Sequence, residues 1–317
     1  MQPIFTITLN PALDLAGTVA QVVAGPKLRV ADLSVEPGGG GINVARVIHR
    51  LGGDVTSLAA LGGAPGTRIS VLLDAEGVPQ KVIEAPGDTR QSFAVTDGRD
   101  GAQYRFVLPG PEWDSDSESA ALDSIQEAVP DDCWVVLSGS QPPGVSSEFP
   151  QRLSQALARR GARLIVDTSG DALKRLIHNP GSSSRPAVLR LDHREADALA
   201  DGSLSDVADS LDLAASLVER GVTDMAVLAR GADGSVLATR DLRLHAIPPE
   251  VEVQSAVGAG DSFTGAFALA LASGEDPGAA LLQGTAAAAA AVITPATELC
   301  RPDDVARLLR QCRLNTD

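Results

Sequence analysis

Residues Val257-Gly258-Ala259-Gly260-Asp261-Ser262-Phe263-Thr264-Gly265-Ala266 make a glycine-rich turn that runs directly into an alanine- and leucine-rich helical stretch. Small residues let the backbone N–H groups of such a turn converge on one point. The helix adds the positive end of its dipole there, so the segment forms an anion site without a cationic side chain. Asp261 stands at the mouth of that site. A carboxylate repels a bound phosphate, which points to a base for a hydroxyl attacking phosphorus. In that reading Gly258, Ala259 and Gly260 hold the developing charge, and Asp261 orients and deprotonates the nucleophile. An aspartate opening a helix is also the ordinary N-cap, and the turn alone does not separate the two.

The chain around this turn alternates strand-sized apolar runs with helical patterns. Strands are expected at 4–9, 55–61, 134–137, 163–166, 188–191 and 224–228, and helices at 42–51, 68–76, 147–160, 204–220 and through most of 261–309. This rhythm specifies an α/β fold, a mostly parallel central sheet with helices on both faces, and 317 residues fit one such domain. Aromatic residues are only 3% of the chain, so the core must be built from Ala, Val, Leu and Ile. Ligands of such sheets sit beyond the strand C-termini, where loops at Asp14, Ser138, Asp167, Asp192 and Gly231 are expected. Two regions break the rhythm: β-like pieces at 15–35, and a hairpin signature at 90–108 around Asp97-Gly98-Arg99-Asp100-Gly101. They are expected to form a small β layer, a lid or dimer surface beside the main sheet. Ser182-Ser183-Ser184 reads as a short flexible loop.

A formal net charge of −15 opposes nucleic acid and anionic membranes as partners and makes any local gathering of Lys and Arg informative. Cys133, Cys300 and Cys312 are odd in number and lack metal spacing, which reads as reduced thiols in a cytoplasmic protein. The N-terminus lacks the pattern of a signal peptide. The alanine run at 286–291 is too short for a membrane span and reads as a buried, closely packed helix. Trp113 and Trp134 read as packing residues, and the four scattered histidines carry no chemistry.

A second glycine segment, Pro37-Gly38-Gly39-Gly40-Gly41-Ile42-Asn43-Val44-Ala45-Arg46, precedes the first clear amphipathic helix. Neither segment fits a Walker A loop or a dinucleotide fingerprint. Together they resemble the two signatures of the ribokinase-like (PfkB) family of carbohydrate kinases, and the resemblance runs nearly end to end. Asn10-Pro11-Ala12-Leu13-Asp14 is similar to the hexose-phosphate branch of that family. The resemblance implies ATP-dependent phosphorylation of a ketohexose phosphate, foremost fructose 6-phosphate to fructose 1,6-bisphosphate. Tagatose 6-phosphate and fructose 1-phosphate are the alternative substrates, and a sugar-phosphate-binding regulator with weak or no transfer is the alternative of a different class.

By the same resemblance, Asp14 and Asn43 would bond sugar hydroxyls and Gly39 would let the backbone approach the sugar. Lys27, Arg90 and Arg105, with Ser138, would hold the phosphate already on the sugar. Arg190, Asp192, Gly231 and Gly234 would lie along ATP, and Glu195 would organise Mg2+ through water. Lys27 and Arg105 fall in the β layer, and in relatives that form homodimers through it such a residue can cross to the neighbouring subunit. The chain departs from the family on the ATP side. Arg190, Leu191 and Asp192 replace Lys-Pro-Asn, and Ser255 and Ala256 replace Asp-Thr before the anion hole.

Overall fold

The buried strand β1 (Ile4–Thr8) lies inside the main sheet, with a parallel neighbour on each side. The computed structural model describes residues 1–180, 185–200, 202, 204–295 and 297–316; the Ser182–Ser184 segment lies outside them. After β1 come β2 (Ala12–Val19), β3 (Ala31–Gly38), α1 (Gly40–Arg50), β4 (Val55–Leu61), α2 (Gly63–Ala75), β5 (Gln80–Glu84), β6 (Arg90–Asp97) and β7 (Gln103–Val107). The middle of the chain gives α3 (Ser115–Ala128), β8 (Trp134–Ser138), α4 (Phe149–Ala158), β9 (Arg163–Asp167), α5 (Gly170–His178), β10 (Val188–Leu191), α6 (His193–Leu199) and α7 (Val207–Glu219). The last part gives β11 (Met225–Ala229), β12 (Ser235–Ala238), β13 (Arg243–Ile247), α8 (Ala259–Ala272), α9 (Pro277–Val292), α10 (Pro302–Leu309) and β14 (Arg313–Thr316).

The main sheet runs in the order β14-β13-β12-β11-β10-β9-β8-β1-β4-β5. It is parallel from β11 to β5 and antiparallel at the β11–β12, β12–β13 and β13–β14 pairs. The sequence reading missed β5, the three antiparallel strands, α3 and α5. The physical reason is weak local signal: β12 has four residues, β14 is mostly exposed, and α3 is a polar helix that buries only Glu118, Ala121 and Ile125. Apolar side chains fill both faces of the sheet. Phe5, Ile7, Phe149 and Leu153 lie in one layer, and Ile42, Ile48, Phe263 and Phe267 in the other. The alanine run of α9 is buried against α8 and α10, as expected of a closely packed helix. Trp113 and Trp134 are buried packing residues. Among the described residues no helix is long and apolar enough to cross a membrane.

The small sheet has the order β3-β2-β6-β7. It is larger than the 15–35 and 90–108 pieces suggested, because β2 begins at Ala12 and β3 runs on to Gly38. Asp14 is therefore delivered by a strand and not by a loop. Strand alternation gives this sheet two unlike faces. Asp14, Glu36, Arg90, Ser92 and Arg105 face a cavity, while the alternate positions Leu33, Phe93, Tyr104 and Phe106 are exposed apolar residues.

Candidate active site

A cavity of about 330 Å³ lies between the polar face of the small sheet and the C-terminal edge of the main one. It brings together Asp14, Gly39, Asn43, Arg90, Arg105, Gly258 and Asp261, residues predicted from both glycine segments and from the β layer. Close backbone packing places them. Gly39 has φ +119°, and a Cβ there would meet Thr8 Cγ2 at 2.7 Å. A Cβ on Gly40 would drive into Ser138 Oγ and come within 2.8 Å of Gly139 N, so the start of α1 can rest on the end of β8 only without a side chain. Ser138 itself is buried behind Gly40 and does not line the cavity.

The N-cap of α8 is Gly258, with φ +78°, so Asp261 is not the cap. Ala259, Gly260 and Asp261 form the first turn, whose N–H groups have no partner within the helix. The Asp261 side chain instead accepts a 2.9 Å hydrogen bond from Asn43 Nδ2. Burial pushes its carboxyl up to about 6; the Asn43 hydrogen bond opposes this, the negative charge of Asp167 adds to it, and Arg190 opposes it. A carboxylate in that range is ionised at neutral pH yet basic enough to take a proton, the property a general base needs.

Asp14 is also raised by burial, against the hydrogen bond from Ser92 and the charges of Arg90 and Arg105. Arg90 donates to Asn10 O at 3.1 and 3.3 Å and approaches Leu108 O at 3.5 Å. It thus fastens the small sheet to the end of β1 while facing the cavity. Arg105, on β7, is exposed and lines the same space. Lys27 departs from expectation: it belongs to neither sheet, lies in the exposed loop between β2 and β3, and does not line the cavity.

The residues predicted for the nucleotide share the sheet edge but lie outside this cavity. Arg190 Nη1 pairs with Asp167 Oδ1 at 3.2 Å, and a Cβ on Gly260 would touch its guanidinium at 3.2 Å. Asp192 caps α6: its side chain accepts from Glu195 N, and Glu195 Oε2 accepts from Asp192 N, both at 2.8 Å. Burial pushes Glu195 up to about 7, with Asp192 and Asp167 adding to the rise. Gly231 opens a 3-10 turn that Gly234 ends, and Gly234 is needed structurally because a Cβ would collide with Ala246 O. Among the described residues no three His, Cys, Asp or Glu side chains cluster as a metal cage. Glu195, with Asp192 and Asp167 nearby but no closed cage, suits a cation carried mainly by phosphate oxygens and water, as Mg2+ is.

The sequence reading placed Asp167 on this edge but gave it no role, and it missed Arg46, Ser92, Glu36 and Thr264. Arg46 had a signal, since it stands one helical turn beyond Asn43. The others carry no local mark: Ser92 and Thr264 meet Asp14 and Asp167 of distant strands, and Glu36 meets Arg46 of α1 and Thr297 near the C-terminal end.

A family model described as pfkB family carbohydrate kinase matches residues 8–304. The ATP-dependent 6-phosphofructokinase isozyme 2 of Mycobacterium tuberculosis (strain CDC 1551 / Oshkosh) is 39% identical over 306 residues, covering 96% of this chain and 88% of that protein. The enzyme of the same name from Escherichia coli (strain K12) is 36% identical over 308 residues, covering 97% and 98%. The crystal structure of the phosphofructokinase-2 from Escherichia coli in complex with fructose-6-phosphate superposes with a TM-score of 0.89 at 35% identity, covering 98% of this chain and 99% of that one. With both glycine segments, the two-sheet architecture and end-to-end similarity agreeing, the chain belongs to the pfkB family of carbohydrate kinases.

Proposed function

We propose that the protein transfers the γ-phosphoryl group of ATP to the C1 hydroxyl of fructose 6-phosphate. The observation that carries this reading is the meeting of Asp261 with Asp14, Asn43, Arg90 and Arg105 in one cavity. A base, a diol-binding carboxylate and two guanidinium groups are what a ketose already carrying a phosphate requires. The names of the relatives at 36% and 39% identity support the same substrate.

Asp14 and Asn43 would hold the sugar hydroxyls, and Arg90 and Arg105 the existing phosphate. Asp261 would take the proton as the hydroxyl attacks, while the amides of Gly258, Ala259 and Gly260 stabilise charge on the transferred group. Arg190, beside Gly260, adds positive charge on the nucleotide side. Mg2+ with ATP, organised by Glu195 through water, would neutralise the phosphates. Asp192, Gly231 and Gly234 would shape the nucleotide end.

The exposed apolar face of Leu33, Phe93, Tyr104 and Phe106 supports a homodimer through the small sheet, which would act as a lid on the remainder of a single kinase domain. In that dimer Lys27 would reach the phosphate of the neighbouring subunit. The cysteines are free, which supports a cytoplasmic setting.

An ADP-release assay with Mg-ATP over fructose 6-phosphate, tagatose 6-phosphate and fructose 1-phosphate tests the proposal. The highest kcat/KM is expected for fructose 6-phosphate. A preference for either other sugar reassigns the substrate. No release with any of them, alongside tight sugar-phosphate binding, makes the protein a regulator.

A further inference from the structure

Arg46 is 5% exposed and lies on α1 three residues beyond Asn43. Glu76, just after α2, grips it with bonds of 2.9 and 2.7 Å, and Glu36 of β3 stands 3.5 Å away. Its remaining nitrogen, Nη1, donates at 3.4 Å to Asn43 Oδ1 and to Pro37 O. A guanidinium has donors and no acceptor, so only the oxygen of the Asn43 amide can face it. The amide nitrogen must then point the other way, where Asp261 Oδ2 accepts it at 2.9 Å.

We propose that Arg46 is a positioning residue for the base: by holding the oxygen of Asn43, it keeps the amide N–H turned toward Asp261 and so favours the ionised carboxylate. Without Arg46 the amide can rotate and offer its oxygen to Asp261, an arrangement that only the protonated acid satisfies. The ionisable groups facing Asp261 are Asp167 of β9 and Arg190 of β10, and both are unaltered by a change at 46. Around Arg46 stand Glu36 and Glu76, with Arg50 3.6 Å from Glu76. Removing Arg46 therefore also bares negative charge, and the experiment has to separate charge from orientation.

The inference rests on Asp261 being the base, so the test reads that carboxyl directly as well as through turnover. Carbon-13 NMR of Asp-labelled protein, assigned with Asp261→Asn, gives its titration midpoint in wild type, Arg46→Met, Arg46→Lys and Asn43→Ala. The midpoint is expected to rise by about one pH unit in Arg46→Met, the scale of one lost hydrogen bond to an anion. Arg46→Lys keeps the charge beside Glu76 but not the planar fork, so it is expected to rise as well. It also carries the test if Arg46→Met does not fold. In an Asn43→Ala background, replacing Arg46 should add nothing. The acid limb of kcat/KM should move with the midpoint. An unchanged midpoint, full rescue by Lys, or an equal rise without Asn43 overturns the proposal. If no sugar is phosphorylated, the kinase reading fails, while the NMR result still decides the role of Arg46.

Discussion

Thr264 donates a 2.8 Å hydrogen bond from its hydroxyl to Asp167 Oδ2, tying the helix that carries Asp261 to the end of β9. The other oxygen of Asp167 pairs with Arg190. One carboxylate thereby fixes the height of the anion-binding turn and holds a cation beside it.

That linkage predicts two separable effects of Asp167→Asn. Arg190 and Asp167 are only 12% and 11% exposed, so the uncompensated guanidinium should cost about 3 kcal/mol in urea unfolding. Removing a negative charge near Asp261 should also move the acid limb of kcat/KM downward in pH. A limb that stays put or rises would show that Asp167 does not act on Asp261.

Asp261→Asn should lower kcat by about three orders of magnitude or more while calorimetry finds sugar-phosphate binding within a few-fold. In the wild type, kcat/KM should fall about tenfold per pH unit below a midpoint near 6, because only the carboxylate accepts the proton. The native value of about 6 lies above the ordinary 3.8, so the stabilisation from proton binding is complete below about pH 4 and lost as pH rises through 6. At pH 8 the neutral Asn variant should therefore match or exceed wild type in thermal unfolding, and a clearly less stable variant would contradict the burial argument.

Gly40→Ala tests the packing that seats α1. The added methyl would press on Ser138 Oγ and on Gly139 N, which belongs to backbone and cannot swing aside. A loss of about 1–3 kcal/mol is expected, with weaker sugar binding as Asn43 is displaced. Gly52→Ala serves as the comparison, since no atom lies within 4 Å of a Cβ there although φ is +82°. Gly40, unlike Gly52, has no positive φ, so a cost there reports the contact with β8, and a negligible cost would show that this contact does not demand glycine.

Arg105→Ala and Arg90→Ala should differ. Both are expected to weaken fructose 6-phosphate by about 1.5–3 kcal/mol, roughly 10- to 150-fold in Kd, through loss of a charged hydrogen bond. Arg90→Ala should in addition lower thermal stability, because it frees Asn10 O and Leu108 O at the root of the small sheet. Stability unchanged in Arg90→Ala would remove that second role.

Much of this was written locally. The two glycine segments announce two helix N-termini, and steric freedom at Gly39 and Gly258 is a property of a few adjacent residues. The buried parallel strands were legible from their apolar runs, and β4 and β10 fell where expected. The polar helix α3 and the short antiparallel strands were not, because their burial depends on neighbours that a short window does not contain.

The site divides along the same line. The glycine-rich turn pointed to Asp261, and the family resemblance pointed to Asp14 and the arginines of the β layer. Asn43 and Asp261, however, are 218 positions apart, and Thr264 and Asp167 are 97 apart. Whether such groups touch depends on strand order and on how closely helices pack at glycine, which is a property of the assembled sheet. That is why Lys27 fell outside the cavity while Arg46 and Asp167 entered the network around the base.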